Sequence, residues 1–339
     1  MIDLRSDTVT KPGAAMRMAM ANAEVGDDVL EGDPTVRQLE TEVARLLGKD
    51  AALYFPSGTM ANQTAIWMHA EPGTEVLCDA RAQIYDWEGA GASVFRGAQL
   101  RTVTPAIGET IRASDVERGL RAPSRYAPRA TLLCMENTHN GAGGAVTPLA
   151  DLQALGDAGR AAGLKVHMDG ARLWNAHAAT GTPLADLAAT ADTVMVSFSK
   201  GLGAPVGAAL VGPADLMADA WEVRKRFGGG MRQAGIIAAG ALYGLQQNLS
   251  RLHLDHANAA TFAALVHGAG GARPVTPDTN IVMIDLRAGQ RSSDVVAAAA
   301  GGVALSGWSA TRVRAVFHLD VSAADAADAG RIVASALAA

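Results

Sequence analysis

Short apolar runs separated by amphipathic stretches make up the first two thirds of the chain. The apolar runs predict strands at Ala51–Phe55, Glu75–Asp79, Leu100–Thr104, Ala130–Asn137, Lys165–Asp169, Thr193–Phe198 and Ala208–Val211. The stretches with helical spacing predict helices at Pro34–Leu47, Thr59–His69, Pro148–Ala162 and Pro183–Ala188. Strands that alternate with helices are typical of an α/β fold, so we expect a mostly parallel sheet flanked by helices.

The last third of the chain has a different pattern. A long helical region begins near Gly235 and continues past Arg251, and apolar runs then predict strands at Asn280–Leu286 and Val313–Leu319. A helical pattern at Ala323–Leu337 follows. We therefore expect a large domain over 1–245 and a smaller α+β domain over 246–339, because a chain of 339 residues exceeds a typical single domain.

Composition narrows the classes of partner. The formal net charge of -5 argues against nucleic-acid binding, which needs clustered Lys and Arg. No stretch reaches the roughly 18 apolar residues of a membrane-spanning helix, and the opening residues lack the apolar core of a signal peptide. Cys78 and Cys134 are predicted to be buried thiols. We expect a cytoplasmic protein whose partner is a small molecule.

The first candidate for chemistry is Lys200, which follows the predicted strand Thr193–Phe198 and precedes Gly201. A lysine at the end of a strand lies at the rim of an α/β sheet, where ligands bind. Partial desolvation lowers the pKa of an amine there, and the neutral amine can form a Schiff base. A solvated lysine at a turn is the commoner explanation of this pattern, so the assignment depends on neighbouring residues.

The second candidate is Asp169, which ends the preceding predicted strand, with Arg172 three positions later. A buried aspartate beside a pyridine nitrogen keeps that nitrogen protonated and makes the ring an electron sink. The planar guanidinium of Arg172 suits the phenolic oxygen of such a ring or a substrate carboxylate. Alone, Asp169 could also be a strand-end residue that caps a loop.

The third candidate is the turn Ser57-Gly58-Thr59, where a predicted strand leads into a helix. Free backbone N–H groups at a helix start, with hydroxyls beside them, form a phosphate cradle. An ordinary helix cap explains the turn equally well in isolation. Together with Lys200 and Asp169, the turn favours pyridoxal 5'-phosphate (PLP) as the cofactor.

Other cofactor motifs are not found in the sequence. It contains no G-x-x-x-x-G-K-[ST] run for a P-loop, and Gly207 follows Gly201-Leu202-Gly203 one residue too late for a dinucleotide fingerprint. Neither H-E-x-x-H nor a cysteine cluster is present, so no metal site is predicted.

Over nearly its full length the chain resembles the low-specificity L-threonine aldolases, which have the aspartate-aminotransferase fold, PLP fold type I. The resemblance depends on ordered blocks of residues at Leu4–Thr10, Gly26–Val29, Gly32–Thr35, Ser57–Asn62, Glu136–Asn140, Asp169–Arg172, Ser199–Gly201, Gly228–Gln233 and Arg314–Val321. It implies a PLP-dependent lyase that cleaves L-threonine, L-allo-threonine or a related β-hydroxy-α-amino acid such as phenylserine to glycine and an aldehyde.

The resemblance also implies roles for residues around the cofactor. Lys200 is similar to the lysine that binds PLP covalently, and Asp169 to the partner of the pyridine nitrogen. Ser57, Gly58 and Thr59 are similar to the phosphate-binding turn. Arg232 is similar to an arginine that reaches a phosphate across a subunit interface, which implies a homodimer or homotetramer with shared active sites.

On the substrate side, the resemblance implies that Arg172, Arg314 and Ser6 bind the carboxylate. His139 is similar to a histidine near the substrate hydroxyl. Gln83 stands where the family usually has a histidine that stacks on the cofactor ring. An amide can stack there and hydrogen-bond a hydroxyl, but it cannot accept a proton at neutral pH. The candidate bases are therefore His139 or an ordered water, and Glu88 is a weaker candidate.

Two other functions remain open at this stage. The same scaffold could catalyse β-elimination, racemisation or transamination, and an elimination is recognised by its ammonia and keto-acid products. A PLP-binding protein without catalytic activity is the other alternative, and measurable aldol cleavage would exclude it.

Overall fold

The computed structural model describes residues 1–106 and 109–339. Within these ranges the helices α1 to α13 are Ala14–Ala21, Pro34–Leu47, Gly58–His69, Gln83–Asp86, Ala113–Gly119, Leu149–Ala161, Leu173–Thr180, Leu184–Ala189, Ala214–Arg226, Gly235–Tyr243, Leu252–Val266, Ser292–Ala299 and Ala323–Ala338. The strands β1 to β13 are Ile2–Asp3, Ala51–Phe55, Glu75–Asp79, Gln99–Val103, Ala130–Glu136, Lys165–Gly170, Thr193–Ser197, Ala208–Gly212, Arg273–Pro274, Ile281–Asp285, Val303–Ala304, Ser306–Ser309 and Arg312–Val316. The predicted α/β class is confirmed.

A mostly parallel sheet forms the centre of the described chain, with strands in the order β2-β8-β7-β6-β5-β3-β4. Strand β8 runs antiparallel to both of its neighbours, while the pairs from β7 to β4 are parallel. Every residue of β3, β7 and β8 is buried. Burial of consecutive residues means that both faces of the sheet are covered, which explains why these strands appear in the sequence as unbroken apolar runs.

Local signals fix the ends of the helices that flank this sheet, and α2 illustrates them. The side chain of Asp33 accepts hydrogen bonds from the backbone N–H groups of Thr35 and Val36, and Pro34 occupies the first turn. Gly48 ends the helix in the left-handed conformation, with φ of 58°. An acidic cap, an early proline and a terminal glycine are each favoured at these positions, so both ends of α2 can be predicted from the sequence.

A second, antiparallel sheet with the order β12-β13-β10-β9 lies in the C-terminal part of the described chain. Its apolar cluster includes Phe262 of α11 and Phe317, whose ring centroids are 5.3 Å apart. Leu4 belongs to the same cluster, and β1 pairs in parallel with β11, so the N-terminal segment packs with C-terminal elements. The helical region after Gly235 contains a π-helical segment at Gly244–Asn248. A domain boundary near residue 245 stays a prediction.

Within the described ranges, every helix is either too short or too polar to cross a membrane.

A buried ion pair joins the N-terminal segment to the central sheet. The Nε and Nη2 atoms of Arg172 each donate to a carboxylate oxygen of Asp7 at 2.7 Å, and both side chains are buried. Asn280, just before β10, also donates to Asp7 at 3.2 Å. Burial alone would raise the pKa of Asp7, but the Arg172 guanidinium, with Lys200 and the Asn280 amide, holds it well below its ordinary value. Asp7 thus connects three separate parts of the chain.

We expect Asp7→Asn to lower the free energy of unfolding by about 3–5 kcal/mol, because it leaves the buried Arg172 guanidinium without a compensating charge. Urea denaturation measures this loss. Because the folded-state pKa of Asp7 is depressed, its stabilisation is fully present above the unfolded value of 3.8 and is lost as the pH falls below it.

The control for Asp7→Asn is Glu222→Gln, which breaks a solvent-exposed pair with Arg226 at 3.0 Å. It should cost less than about 1 kcal/mol. Equal losses of unfolding free energy for the two variants would mean that the buried pair contributes no more to stability than an exposed pair does.

Candidate functional site

Polar side chains collect where neighbouring parallel strands end. Asp79 and Glu136 are the last residues of β3 and β5, and Asp169 is the penultimate residue of β6. Glu136 is directly paired with Asp169 across the sheet. Lys200 follows three residues after β7 ends. Because the carboxyl ends of parallel strands lie at one edge of a sheet, these groups share the position where α/β proteins bind ligands.

A glycine after Asp169 lets β6 and β7 approach each other closely. A Cβ atom on Gly170 would lie 2.7 Å from the backbone oxygen of Met195 on β7, too close for any side chain. Asp169 itself is paired with Met195, so it lies directly beside the strand that leads to Lys200.

A cavity of about 320 Å³ opens at this edge of the sheet. Its lining residues are Ser6, Thr8, Gln83, Trp87, Asn140, Arg172, Lys200, Trp308 and Arg314. The structure thus brings together five of the predicted residues, namely Ser6, Gln83, Arg172, Lys200 and Arg314. The predicted residues outside the lining are Ser57, Gly58, Thr59, Glu88, His139, Asp169 and Arg232. A larger cavity, of about 660 Å³, lies elsewhere, beside Lys49, His69 and Asp192.

The Lys200 amine is the nucleophile that this cavity offers. Burial lowers its pKa to about 8, and the neighbouring Arg172 guanidinium contributes, while Asp7 and Asp169 oppose the shift. A lysine with this pKa is partly neutral near neutral pH, whereas an ordinary lysine is almost entirely protonated. Only the neutral amine can attack a carbonyl carbon.

The Asp169 carboxylate is buried and accepts one hydrogen bond on each oxygen. It accepts from the side-chain amide of Asn62 at 2.8 Å and from the backbone N–H of Ala171 at 3.0 Å. Burial and the nearby Glu136 raise its pKa to about 6, and Lys200 counteracts them. Asp169 is therefore mostly ionised at neutral pH, so it can stabilise a cationic group next to it.

Asn62 connects Asp169 to Glu88. Its side-chain nitrogen lies 2.8 Å from each carboxylate, and Gln63 donates to Glu88 at 2.7 Å. Burial raises the pKa of Glu88 to about 8, and the charge on Asp169 adds to the shift. Glu88 is thus mostly protonated at neutral pH and lies behind Asn62, outside the cavity.

A chain of buried hydrogen bonds fixes the orientation of Asn62. Because its amide nitrogen donates to two carboxyl groups, its oxygen accepts from Nε2 of His167, 3.0 Å away. Burial lowers the pKa of His167 to about 3, so the ring is neutral and its Nδ1 accepts from the Thr193 hydroxyl at 2.9 Å. The Thr193 oxygen in turn accepts from Nε2 of His69 at 3.0 Å. Every polar group from His69 to Asp169 then has one defined role as donor or acceptor.

Arg314 supplies the second guanidinium group that faces the cavity, beside that of Arg172. It donates to the side-chain oxygen of Asn140 at 3.0 Å and to the backbone oxygen of Arg5 at 3.1 Å. Its buried Nε has no hydrogen-bond partner among the described residues. Burial, with repulsion from Arg172, lowers the pKa of Arg314 to about 10. Two guanidinium groups around one cavity favour an anionic ligand such as a carboxylate.

The buried ring of His139 has one nitrogen hydrogen-bonded and the other close to a carboxylate. Its side chain is 1% exposed, Nδ1 accepts from the backbone N–H of Ala142 at 3.2 Å, and Nε2 lies 3.3 Å from Asp79. Burial lowers the pKa of His139, but Glu136 and Asp79 outweigh it and the net shift is upward.

Gln83 is half-buried in the lining, and its backbone N–H donates to Glu136 at 2.9 Å.

The turn before α3 has the geometry of a helix start. The Ser57 hydroxyl accepts from the backbone N–H of Met60 at 3.2 Å, and the first-turn N–H groups of Gly58 and Thr59 point out of the helix end. The same helix carries Asn62 one turn later. The turn and the contact to Asp169 are therefore held by one rigid element.

Arg232 lies away from the cavity of its own chain. Its side chain is 55% exposed, and Nη1 lies 3.2 Å from the Asp27 carboxylate.

Several residues that line or contact the site received no role from the sequence, among them Trp87 and Trp308 of the lining. Asp7, Asn62 and Glu136 have further contacts to the site. All three lie inside the blocks that carry the family resemblance, which is the only sequence feature that could have indicated a role for all of them. For Asn62, a second signal was its spacing of four residues from Gly58, which places both on one helix face.

We expect Asn62→Leu to destabilise the protein by about 1–3 kcal/mol more at about pH 9 than at about pH 5. The folded-state pKa values of Glu88 and Asp169 are already raised, so ionising either group weakens the fold as the pH increases. Removing their common donor raises both values further. Urea denaturation at the two pH values measures the difference.

The control is Gln63→Met, which removes only the second donor to Glu88 and should show a smaller pH effect. A pH-independent loss for Asn62→Leu would contradict this arrangement.

Comparisons with known proteins identify relatives of this chain. Residues 3–289 match the family described as "Beta-eliminating lyase". The chain is 40% identical over 332 residues to the low-specificity L-threonine aldolase 1 of Arabidopsis thaliana, covering 96% of this chain and 93% of the relative. It is 40% identical over 324 residues to the low specificity L-threonine aldolase of Escherichia coli K12, covering 95% of each.

The fold also matches solved structures. A putative L-allo-threonine aldolase from Listeria monocytogenes superimposes with a TM-score of 0.82, at 21% identity, over 99% of this chain and 95% of that one. The match supports the expected PLP fold type I. From the family match and the extent of these identities, the chain belongs to the beta-eliminating lyase family, with the low-specificity L-threonine aldolases as its relatives.

Proposed function

We propose that this protein is a PLP-dependent aldolase that cleaves L-threonine, L-allo-threonine or a related β-hydroxy-α-amino acid into glycine and an aldehyde. One observation carries the proposal: a lysine amine with a lowered pKa shares one cavity with two guanidinium groups. That combination suits a carbonyl-type cofactor and a substrate with a carboxylate. The threonine aldolase relatives at 40% identity support the same reaction.

The buried polar groups fit PLP. Lys200 would bind it covalently, and Asp169, ionised at neutral pH, would face the protonated pyridine nitrogen. Its phosphate would lie at the turn Ser57-Gly58-Thr59, where N–H groups point out of α3. Arg232, exposed on its own chain, would reach the phosphate of a second subunit. A homodimer or homotetramer with shared sites, located in the cytoplasm, belongs to this proposal.

When bound, the cofactor withdraws electrons from the α-carbon of the substrate and so stabilises negative charge there. The chain's own residues orient the substrate for this. Arg172 keeps two of its donors on Asp7, so its remaining nitrogen, with the unpaired Nε of Arg314 and the Ser6 hydroxyl, forms the carboxylate site. Held there, the substrate points its α-amino group towards Lys200.

Cleavage removes the proton of the β-hydroxyl, breaks the Cα–Cβ bond and returns a proton to Cα. Gln83, at the position where the family resemblance predicts a histidine, can orient the hydroxyl but cannot take its proton. Of the candidate bases, water in the cavity fits the geometry better than His139, because that ring is 1% exposed and lies outside the cavity lining. Glu88 fits least well, since it lies outside the cavity and is mostly protonated.

Lys200→Ala should reduce glycine formation from L-threonine by at least about 10³-fold, because the nucleophilic amine is gone. Glycine and acetaldehyde are measured as products, and the absorbance of protein-bound cofactor is followed in parallel. Lys165→Ala, at an exposed lysine that begins β6, is the matched control and should keep wild-type turnover. Full turnover with Lys200→Ala, or a wild-type enzyme that yields a 2-oxo acid and ammonia, would rule out the proposal.

We expect Gln83→His to increase kcat by about 10²-fold or more, because an imidazole can accept the hydroxyl proton. The rate of the variant should fall as the pH drops below about 6.5, where the new ring becomes protonated. Gln83→Leu is the control and should show no such pH limb. An unchanged kcat and pH profile for Gln83→His would mean that residue 83 does not contact the β-hydroxyl.

A further inference from the structure

Two tryptophans meet at the mouth of the proposed active site. Aromatic residues make up only 4% of the chain, which contains 5 tryptophans, yet Trp87 and Trp308 both line this one small cavity. Their ring centroids are 5.6 Å apart at an interplanar angle of 36°. Trp87 is 57% exposed, so much of its ring remains free to contact a ligand. We call these two residues the tryptophan pair.

The backbone directs Trp308 into this position. Strand β12 pairs Gly307 with Val313 and Ser309 with Arg312, so Trp308 is the extra residue of a β-bulge. A bulge turns a side chain away from the regular alternation of a strand, and bulges are frequent beside active sites. The Arg314 guanidinium lies 4.8 Å from the Trp308 ring centroid and covers one side of it.

The pair lies between the groups that would hold the two ends of the substrate. Trp87 follows Gln83 by four residues, so both project from the same face of α4 and its C-terminal cap. Trp308 contacts Arg314, which is proposed to bind the carboxylate. A substituent on the β-carbon therefore lies against apolar ring surface, while the β-hydroxyl faces Gln83.

We propose that the tryptophan pair is a specificity subsite that makes this enzyme prefer β-hydroxy-α-amino acids with a planar aryl group on the β-carbon. The inference rests on the proposed aldolase function. An aryl ring can adopt offset or edge-to-face contacts with the indole rings, which a methyl group cannot do. The preferred aldehyde product is then aromatic, of the benzaldehyde type.

The test compares kcat/KM for phenylserine with kcat/KM for threonine in the assembled holoenzyme. Trp87→Leu should lower the phenylserine-to-threonine ratio by about 3- to 10-fold, and Trp87→Phe should restore most of it. Trp308→Leu should lower the ratio too, and should also raise KM for both substrates, because Arg314 loses its ring contact. Trp221→Leu, a tryptophan of α9 outside the site, is the matched control and should leave the ratio unchanged.

Binding of amino acids without a β-hydroxyl gives an independent readout. The ratio of the dissociation constant of L-phenylalanine to that of L-alanine, followed by quenching of tryptophan fluorescence, should rise with Trp87→Leu, because only the aromatic ligand loses a contact. Unchanged ratios in both measurements, or equal losses for both substrates with Trp87→Leu, would overturn the subsite. If the wild type releases no glycine from either substrate, the aldolase function fails, and the binding ratio still decides the role of the pair.

Discussion

The ion pair between Asp7 and Arg172 is the interaction on which the site depends. Two charges out of water are costly unless they are paired with good geometry, and here two donors meet two carboxylate oxygens at 2.7 Å. The pair draws the N-terminal segment over the sheet edge and leaves one side of the guanidinium facing the cavity. Its two charges act in opposite directions on Lys200, whose pKa is lowered by Arg172 and raised by Asp7.

Burial and neighbouring charges together set the protonation of the site, and they act in different directions on each group. Desolvation raises the pKa of Asp169 and Glu88, yet Lys200 restrains only the first of them. The result is a charged carboxylate at Asp169 and a mostly neutral one at Glu88, although Asn62 donates to both. A single amide thus links two acids of different charge.

The central sheet and the position of the site could be predicted from the sequence to within one or two residues, because buried parallel strands form unbroken apolar runs and polar residues appear where they end. Helices α1, α4, α5, α7, α9 and α12 were not predicted, and Asp7, Asn62 and Glu136 were assigned no role. Their contacts join residues far apart in sequence, such as Asp7 and Arg172, and local patterns carry no information about such pairing. Whether a side chain lines the cavity, as Trp308 does from its bulge, is likewise decided by tertiary packing.

Because Ile2 pairs with Val303, the site can assemble only after nearly the whole chain has been synthesised. Strand β1, which leads into Ser6 and Asp7, pairs with a strand some 300 residues later in the chain. The N-terminal side of the cavity therefore cannot form until that later strand has been synthesised. The lowered pKa of Lys200, which comes mainly from burial, is therefore acquired only when the fold is complete.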